Sequence, residues 1–223
     1  MCKKIKYYFI ALLYLICFYA KAQITEGIYR FDTRINGLVP HPLSNKAFKS
    51  TFIGVYSVSG SQNVQLFKNF YAGICGGNSL YKIPTNKLVA GNGYRLSNQF
   101  QLNWVGLNTG YDYYFTPHGF LSTSISIGQS FGKFSSIQMV TPVPIKDEFS
   151  TAYIQISENI NFILEDNFGM GFLVSYTYIN HSFDPTDIAL DQFKHYENGD
   201  INGAVSHLEV GFNLYFGYVK KKK

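Results

Sequence analysis

Charged side chains are scarce in this sequence. Asp, Glu, Lys and Arg make up 15% of its 223 residues, against roughly 25% in soluble domains. Serine, asparagine, glutamine, glycine and tyrosine fill the polar positions instead, and aromatic residues reach 17%. Because a soluble protein normally covers its polar face with lysine and glutamate, this composition favours strands with one face against lipid and the other lining a narrow polar interior.

Cysteine is also scarce, which excludes two kinds of chemistry. The chain has three cysteines, of which Cys2 and Cys17 lie in an N-terminal segment that we expect to be removed. Cys75 would then be the only cysteine left. Neither an internal disulfide nor a cysteine-based metal cluster is therefore expected.

The basic residues are concentrated at the two ends. Four lysines lie in the first 22 residues and four more in the tail at 220–223. The body between them has 11 of the 19 basic residues against 14 acidic ones, a net charge of −3. The formal charge of +5 for the whole chain thus indicates no nucleic-acid partner, and we expect the basic tail to be solvated.

The first 22 residues have the organisation of a signal peptide. Three lysines among the first six residues precede an apolar and aromatic run at 7–19, and Ala20 and Ala22 supply the small residues of a cleavage site. The run is shorter than the ~20 residues of a membrane-spanning helix. We expect cleavage after Ala22, and the bulky residues before Cys17 disfavour the alternative of a lipoprotein acylated there.

Beyond this leader the sequence alternates with a period of two, as strands do, rather than with the period of helices. At 168–178 large apolar residues occupy alternate positions, and glycine, serine and threonine fill most of the positions between them. Eight strands are predicted near 24–36, 48–66, 69–82, 97–115, 118–133, 148–164, 167–181 and 202–219. The sequence therefore predicts an all-β fold, a single eight-stranded antiparallel up-and-down barrel at 23–219.

The connections between these strands alternate in length. Short ones at 67–69, 116–118 and 165–167 alternate with long ones at 37–47, 83–96, 134–147 and 182–201. Six of the seven prolines fall in the long connections, and none is expected inside a strand, because proline cannot donate to a ladder. Short turns at one end and long loops at the other are typical of transmembrane outer-membrane barrels, whose termini are periplasmic.

Two places interrupt the alternation. The apolar face changes parity between Trp104 and Leu107, which predicts a β-bulge around Val105 and Gly106. Glu158 falls on an apolar face, where a lipid-facing carboxylate would be unfavourable. We therefore expect a second bulge that turns it inward, with a position at the headgroup level as the alternative.

The segment EVGFNLYF at 209–216 is similar to the C-terminal signal of bacterial outer-membrane barrels. Together with the leader and the strand layout, it makes the mature chain resemble the small barrels of the OmpA/OmpX type, although further residues follow Phe216 here. The resemblance implies insertion by the outer-membrane assembly machinery, with outer-membrane lipids and lipopolysaccharide as partners. It implies no single activity, and we expect a monomer.

The predicted barrel interior contains a cluster of charged residues. If the apolar residues of the first strand face lipid, its charged residues face inward, together with others from later strands. The predicted lumen cluster consists of Glu26, Arg30, Asp32, Arg34, Asp112, His207 and Glu209. Because eight-stranded barrels have interiors filled by side chains, we expect paired charges that plug the lumen rather than a substrate pore.

A second resemblance, to the lipid A deacylases, suggests an enzymatic alternative. These are also eight-stranded barrels, with a histidine and a serine on the last strands, and the corresponding residues here would be His181, Ser182, His207 and Glu209. The chemistry would be a serine nucleophile activated by imidazole and oriented by a carboxylate. That family spaces its histidine and serine two apart, whereas adjacent residues point to opposite faces of a strand. A polar strand end is therefore the favoured interpretation.

The last long loop is acidic. Its acidic residues are Asp184, Asp187, Asp191, Glu197 and Asp200. Carboxylates are calcium ligands, but this spacing matches no EF-type loop, so we expect solvated side chains, no metal site and no cofactor.

These patterns favour a non-enzymatic outer-membrane barrel with a structural role or a loop-mediated binding or adhesion role. Two alternatives stay open: an outer-membrane lipid A-modifying hydrolase, and a soluble exported β-barrel or sandwich. In the soluble alternative the apolar rows turn inward, and alternation alone does not say which face is inside.

Overall fold

In the computed structural model the chain forms a closed antiparallel β-barrel. The structure describes residues 30–84, 96–138, 146–165, 167–188 and 196–219; the leader, Glu26 and the basic tail lie outside these ranges. The strands are β1 (Arg30–Pro42), β2 (Ile53–Phe67), β3 (Phe70–Lys82), β4 (Leu96–Thr116), β5 (Gly119–Gln138), β6 (Lys146–Glu165), β7 (Phe168–Ile179) and β8 (Val205–Val219). Each strand pairs with the next, and β8 pairs with β1. The prediction of an eight-stranded up-and-down barrel is confirmed.

The ladder register fixes how far the strands are staggered. One circuit of paired residues runs Phe31, Val64, Ala72, Thr109, Ile125, Ile156, Tyr176, Leu208 and His41. The circuit leaves β1 at position 31 and returns at position 41, so the stagger is ten residues. An eight-stranded barrel with strands tilted by roughly 35–45° has an interior just wide enough for side chains to fill.

The barrel is apolar outside and polar inside. On the outer face Leu107 is 62% exposed and Phe212 63%, whereas the inward-facing Glu209 and Asn213 are 0% exposed. This arrangement is the reverse of a soluble barrel and matches a wall that contacts hydrocarbon. The soluble alternative, with its apolar rows packed inside, is therefore wrong.

Short turns lie at one end of the barrel and long connections at the other. The turns follow Phe67, Thr116 and Glu165, as predicted, and Lys68 in the first has a φ of 44°. The ladder shifts register beside each of these turns. The predicted alternation of connection lengths is confirmed.

The first long connection differs from the prediction. β1 continues through Pro40 and Pro42, which pair with β8, so the expectation that no proline lies inside a strand is wrong. The register of β1 with β2 extends only from Phe31 to Leu38, so neither proline interrupts that ladder. At Gly54 of β2 an added Cβ would lie 1.7 Å from the Pro40 carbonyl oxygen, and only glycine fits there.

Short helical segments lie within the long connections. Helix α1 (Lys46–Thr51) replaces the predicted start of the second strand, and α2 (Asn198–Ile201) precedes β8. A 3-10 turn occupies Pro185–Ile188. None of the helices in the described part of the chain has the length and apolar character needed to cross a membrane.

Neither predicted bulge exists. The ladders through Val105 and Gly106 keep their register, and parity changes because Trp104 faces the lumen while Val105 faces out. The register is also unbroken around Glu158, which stays on the outer face. Tyr215 is buried inside the barrel.

Candidate functional site

The lumen nearest the short turns is closed by a charged group that we call the floor cluster: Asp32, Arg34, Tyr71, Asp112 and Ser122. The guanidinium of Arg34 donates to Asp32 at 3.0 Å, to both carboxylate oxygens of Asp112 at 3.1 and 3.2 Å, and to the Tyr71 hydroxyl at 3.0 Å. Its fourth partner is the Ser122 hydroxyl. Arg34 thus ties β1 to β3, β4 and β5 across the interior.

Amide and hydroxyl groups continue this network upward. Asn63 donates to Asp32 at 2.7 Å, Asn108 donates to Asn63 at 3.0 Å, and Ser126 donates to Asn108 at 3.1 Å. These residues are buried, and a buried polar group is stable only when it is hydrogen-bonded. The alternating inward positions of four strands supply that bonding.

A second group, the upper cluster, surrounds Glu209. Its carboxylate accepts from Ser175 at 2.8 Å, Gln155 at 3.0 Å and Ser79 at 3.4 Å, and lies 3.5 Å from the Nε2 atom of His207. All of these side chains are buried. The upper cluster is held by strands β3, β6, β7 and β8.

The predicted lumen cluster is therefore two clusters. In the β1–β8 ladder Arg34 pairs with Tyr215, and Pro40 pairs with Glu209. The floor cluster and the upper cluster are therefore six residues apart, about 20 Å along the strand. Asp32, Arg34 and Asp112 meet in the lower one, and His207 and Glu209 in the upper one. Glu26 and the side chain of Arg30 lie outside the described residues.

A small polar chamber of about 40 Å³ lies between the clusters. Its lining includes Asn36, Asn159 and Ser126, and the Oδ1 atoms of both asparagines have no protein hydrogen-bond partner. A polar volume of this size suits a few water molecules. It is far below the several hundred Å³ of a pocket for a small-molecule ligand.

The outer end of the lumen is filled by aromatic rings, which we call the aromatic plug. The plug consists of Phe48, Phe52, Tyr81, Phe100, Phe134 and Phe183, all buried. Ring centroids are 5.4 Å apart for Phe48 and Phe100, and 4.4 Å apart for Phe100 and Phe134. Because α1 and its C-cap place Phe48 and Phe52 among these rings, the first loop closes the barrel.

Asn45 fastens the first loop to the last one. Its side-chain nitrogen donates to the carbonyl oxygens of Phe183, Ile201 and Gly203 at 3.0–3.2 Å, and its oxygen accepts from the Phe48 amide at 2.9 Å. Asn45 has a φ of 54°, a left-handed conformation that asparagine tolerates. One side chain therefore caps α1 and holds three backbone groups of the opposite loop.

Three further contacts complete this junction, which with Asn45 we call the loop latch. The Lys46 ammonium lies 2.8 Å from Asp200, the hydroxyls of Thr51 and Tyr196 are 2.9 Å apart, and Ser206 donates to Ser44 at 2.7 Å. The hydrogen bond to Asp200 raises the pKa of Lys46, and burial raises the pKa of Tyr196.

Comparison of the sequence with protein-family models and with curated proteins gives no match. Among solved structures, the chain is similar to a major outer membrane protein from Thermus thermophilus, with a TM-score of 0.56, 8% identity, and coverage of 85% of this chain and 99% of that one. The chain has the fold of an outer-membrane β-barrel.

Two other solved barrels are similar at lower scores. For the attachment invasion locus protein Ail of Yersinia pestis the TM-score is 0.44 at 8% identity, with 85% and 99% of the two chains covered. For the N-terminal β-barrel domain of Pseudomonas aeruginosa OprF it is 0.41 at 12% identity, with 84% and 97% covered. At these identities the likeness concerns the fold alone.

This outer-membrane barrel does not bring the four residues of the enzymatic alternative together in one site. The Ser182 hydroxyl is exposed and donates to the Ile201 carbonyl oxygen at 2.8 Å, while the His181 ring stacks on Phe149 at 3.6 Å. His207 is buried in the lumen with Glu209 as its neighbour. The structure brings His207 and Glu209 together and uses Ser182 to hold a loop.

The acidic loop residues serve local structure where they are described. Asp184 accepts from the amide and hydroxyl of Thr186 at 2.9 and 2.8 Å, and Asp200 pairs with Lys46. Within the described ranges, no three His, Cys, Asp or Glu side chains gather as metal ligands would. Asp191 lies outside those ranges.

Sequence reasoning missed the aromatic plug and Asn45. A usable signal for the plug was the parity change at Trp104, because Phe100, Leu102 and Trp104 alternate on the inward face of β4. Asn45 had no comparable signal, since its partners are backbone carbonyls more than 130 residues away.

Proposed function

We propose that this protein is a non-conducting outer-membrane barrel that presents a loop surface on the outer side of the cell for binding or adhesion. The observation that carries the proposal is the closure of the lumen by the floor cluster and the aromatic plug. A barrel closed in this way transports no solute, and its remaining accessible features are its outer wall and its loops.

The long strands support a surface raised above the bilayer. β4, β5 and β6 have 21, 20 and 20 residues, about twice the 9–11 needed to cross. Towards their loop ends, polar pairs replace apolar residues on the outer face. These pairs are Asn78 with Asn103 at 2.7 Å, Gln129 with Ser150 at 2.8 Å and Lys133 with Glu148 at 2.8 Å.

The sequence supports delivery of the chain to the outer membrane. We infer removal of a signal peptide after Ala22 and insertion by the outer-membrane assembly machinery through the segment 209–216. Outer-membrane lipids and lipopolysaccharide would surround the apolar wall, with the short turns on the periplasmic side.

Conductance measurements test the closed lumen. Purified protein inserted in planar bilayers should give no steady ionic current, while heat-modifiable migration on a gel shows that the barrel is folded. Stable single-channel steps from the folded protein would contradict the proposal.

Loop replacement tests the binding role. Residues 85–95 and 139–145 are exchanged for short Gly-Ser turns, and adhesion of expressing cells to host-cell or abiotic surfaces is compared at equal outer-membrane levels. We expect adhesion to fall to that of cells lacking the protein. Unchanged adhesion would reject a role for these loops.

A further inference from the structure

One carboxylate lies on the lipid-facing wall. Glu158 is exposed on the outer face of β6, two residues from both Ile156 and Ile160, and pairs in the ladder with Val174 of β7. The Thr123 hydroxyl donates to its two oxygens at 3.0 and 2.8 Å. Since one hydroxyl carries a single hydrogen, most of the acceptor capacity of this carboxylate is unused.

Such a residue needs a physical reason. Ionisable side chains facing hydrocarbon are unfavourable, and those within membrane-spanning segments are usually paired or functional. The unbroken register of β6 keeps Glu158 on the outside, and among the described residues Thr123 alone hydrogen-bonds to its side chain.

The opposite wall has a complementary group. Gln62 is exposed on the outer face of β2 and makes no side-chain hydrogen bond with the described part of the chain. Its amide can donate two hydrogen bonds and accept others. Asn78, Asn103 and Gln129 also point outward, but each already hydrogen-bonds across its own pair of strands. Gln62 is an outward amide that the described residues leave without a side-chain partner.

The wall around Gln62 is flat because two outward positions are glycine. A Cβ at Gly37 would meet nothing within 4 Å, and one at Gly60 would lie in ordinary contact, 3.4 Å from the Arg34 carbonyl oxygen. The packing of the barrel therefore does not require glycine at either place, although glycine weakens a strand interior. Small residues on a lipid-facing surface let a neighbouring chain approach closely.

The register places the two groups at the same depth. From Gln62 the ladder runs through Ile74, Leu107 and Ile127 to Ile154 of β6. Moving along the ladder across four of the eight strands rises towards the loops by half of the ten-residue stagger, which is five residues. The position on β6 at the same depth as Gln62 is therefore five residues nearer the turn than Ile154, at residue 159. Glu158 is one residue away from that level, on the opposite side of the barrel.

We propose that copies of this chain associate side by side in the membrane, with Gln62 of one copy donating to Glu158 of the next. Copies inserted in the same direction share their depth, so the two groups meet without tilting either barrel. The interface is head-to-tail and leaves one unused wall at each end, so it extends to chains or closes to rings. This proposal departs from the monomer expected from the sequence, and it rests on the barrel fold rather than on the adhesive role.

Cross-linking between two single-cysteine variants tests the pairing. Val64→Cys and Ile160→Cys, each two residues nearer the turns than Gln62 or Glu158, leave both proposed partners in place. The two variants are made in a Cys75→Ser background of the mature chain, mixed, reconstituted in lipid vesicles and treated with a short bis-maleimide. Leu107→Cys with Phe212→Cys is a matched control, because these outward residues also lie four strands apart at levels one residue different.

We expect the mixed Val64→Cys and Ile160→Cys pair to give about ten-fold more cross-linked dimer than the control pair, with little product from either variant alone. Equal yields from the two pairs would overturn the proposal. An Ile160→Cys product formed as readily alone as in the mixture would overturn it too, because that result indicates a symmetric contact.

Energy transfer between labelled copies in vesicles supplies a second measurement. Glu158→Leu and Gln62→Leu should each weaken association about three- to ten-fold, while Glu158→Gln should retain part of it because it still accepts a hydrogen bond. Heat-modifiable migration confirms that each variant is folded. Transfer from the unsubstituted protein no higher than for randomly distributed barrels would overturn the inference.

Discussion

Arg34 shows how one side chain organises the interior. It is 5% exposed and contacts four other residues of the floor cluster, and two of these are carboxylates. A buried arginine between two acids is stable because every donor has an acceptor, and removal of the cation leaves like charges facing each other.

Replacement of Arg34 is therefore expected to be severe. Arg34→Met should lower the free energy of unfolding by roughly 3–5 kcal/mol, since Asp32 and Asp112 lose their common partner. Urea titration of the protein in lipid vesicles, followed by tryptophan fluorescence, measures this change. Arg34→Lys keeps the charge but not the planar fork and should lose less; an equal loss in both variants would contradict the argument.

Asn45 is the corresponding residue at the outer end. Asn45→Ala removes the cap of α1 and leaves the carbonyl oxygens of Phe183, Ile201 and Gly203 without this donor, so the free energy of local opening should fall by about 1–3 kcal/mol. Hydrogen exchange at the Phe48 amide measures it. The exposed Asn202→Ala is the control, and equal protection in both variants would show that Asn45 does not hold the junction.

The elements differ in how far sequence could predict them. β7 and β8 alternate without exception in the residues that face lipid, so their orientation was predicted correctly. On β4 the inward face also carries Phe100, Leu102 and Trp104, and a two-letter apolar pattern cannot distinguish lipid contact from plug contact. For this reason the change of the apolar face between Trp104 and Leu107 was wrongly predicted to be a bulge.

Helix α1 was unpredictable for a different reason. It has six residues, and isolated helices of that length are unstable in water. It forms because Phe48 packs in the aromatic plug and Asn45 caps its start. The lumen residues Asp32, Arg34 and Asp112 were predictable from alternation, while their separation from Glu209 depends on register and required the structure.

The loop latch is expected to weaken in alkali. The pKa of Lys46 is raised by its hydrogen bond to Asp200, so its contribution is complete below the unfolded value of about 10.4 and is lost as pH rises through the folded value. The raised pKa of Tyr196 acts in the same direction, because burial disfavours the phenolate that forms at high pH.

Limited proteolysis of the last loop as a function of pH measures this effect. Cleavage should accelerate above about pH 10 while the barrel stays folded. Asp200→Asn removes the charge partner of Lys46 and should flatten part of the pH dependence. An unchanged profile in that variant would exclude Lys46 as a contributor.

At the scale of the whole molecule, the lumen is closed twice. The aromatic plug lies at the loop end and the floor cluster towards the turn end, with the chamber between them. Two seals in series mean that opening one does not create a path. The conductance of a variant that lacks one seal therefore shows whether the other seal alone blocks the flow of ions.

Removal of the outer seal alone should leave the barrel closed. The double variant Phe48→Ala and Phe52→Ala is expected to lose several kcal/mol of outer-end packing yet to show no steady current in planar bilayers, because Arg34 still fills the lower lumen. Lys49→Ala, on the exposed side of α1, is the control for the helix. Single-channel steps in the double variant would show that the plug is the only seal.

The seam, where β1 pairs with β8 and closes the barrel, is the part of the whole molecule that is hardest to form during folding. It joins Arg30 to Val219, residues that are separated by almost the full described length. Contacts at such separation form slowly, because chain entropy is lost before pairing compensates for it. Until the seam closes, β1 and β8 expose unpaired backbone edges that attract other chains. Rapid closure inside the bilayer, rather than in the aqueous space before it, protects those edges from aggregation.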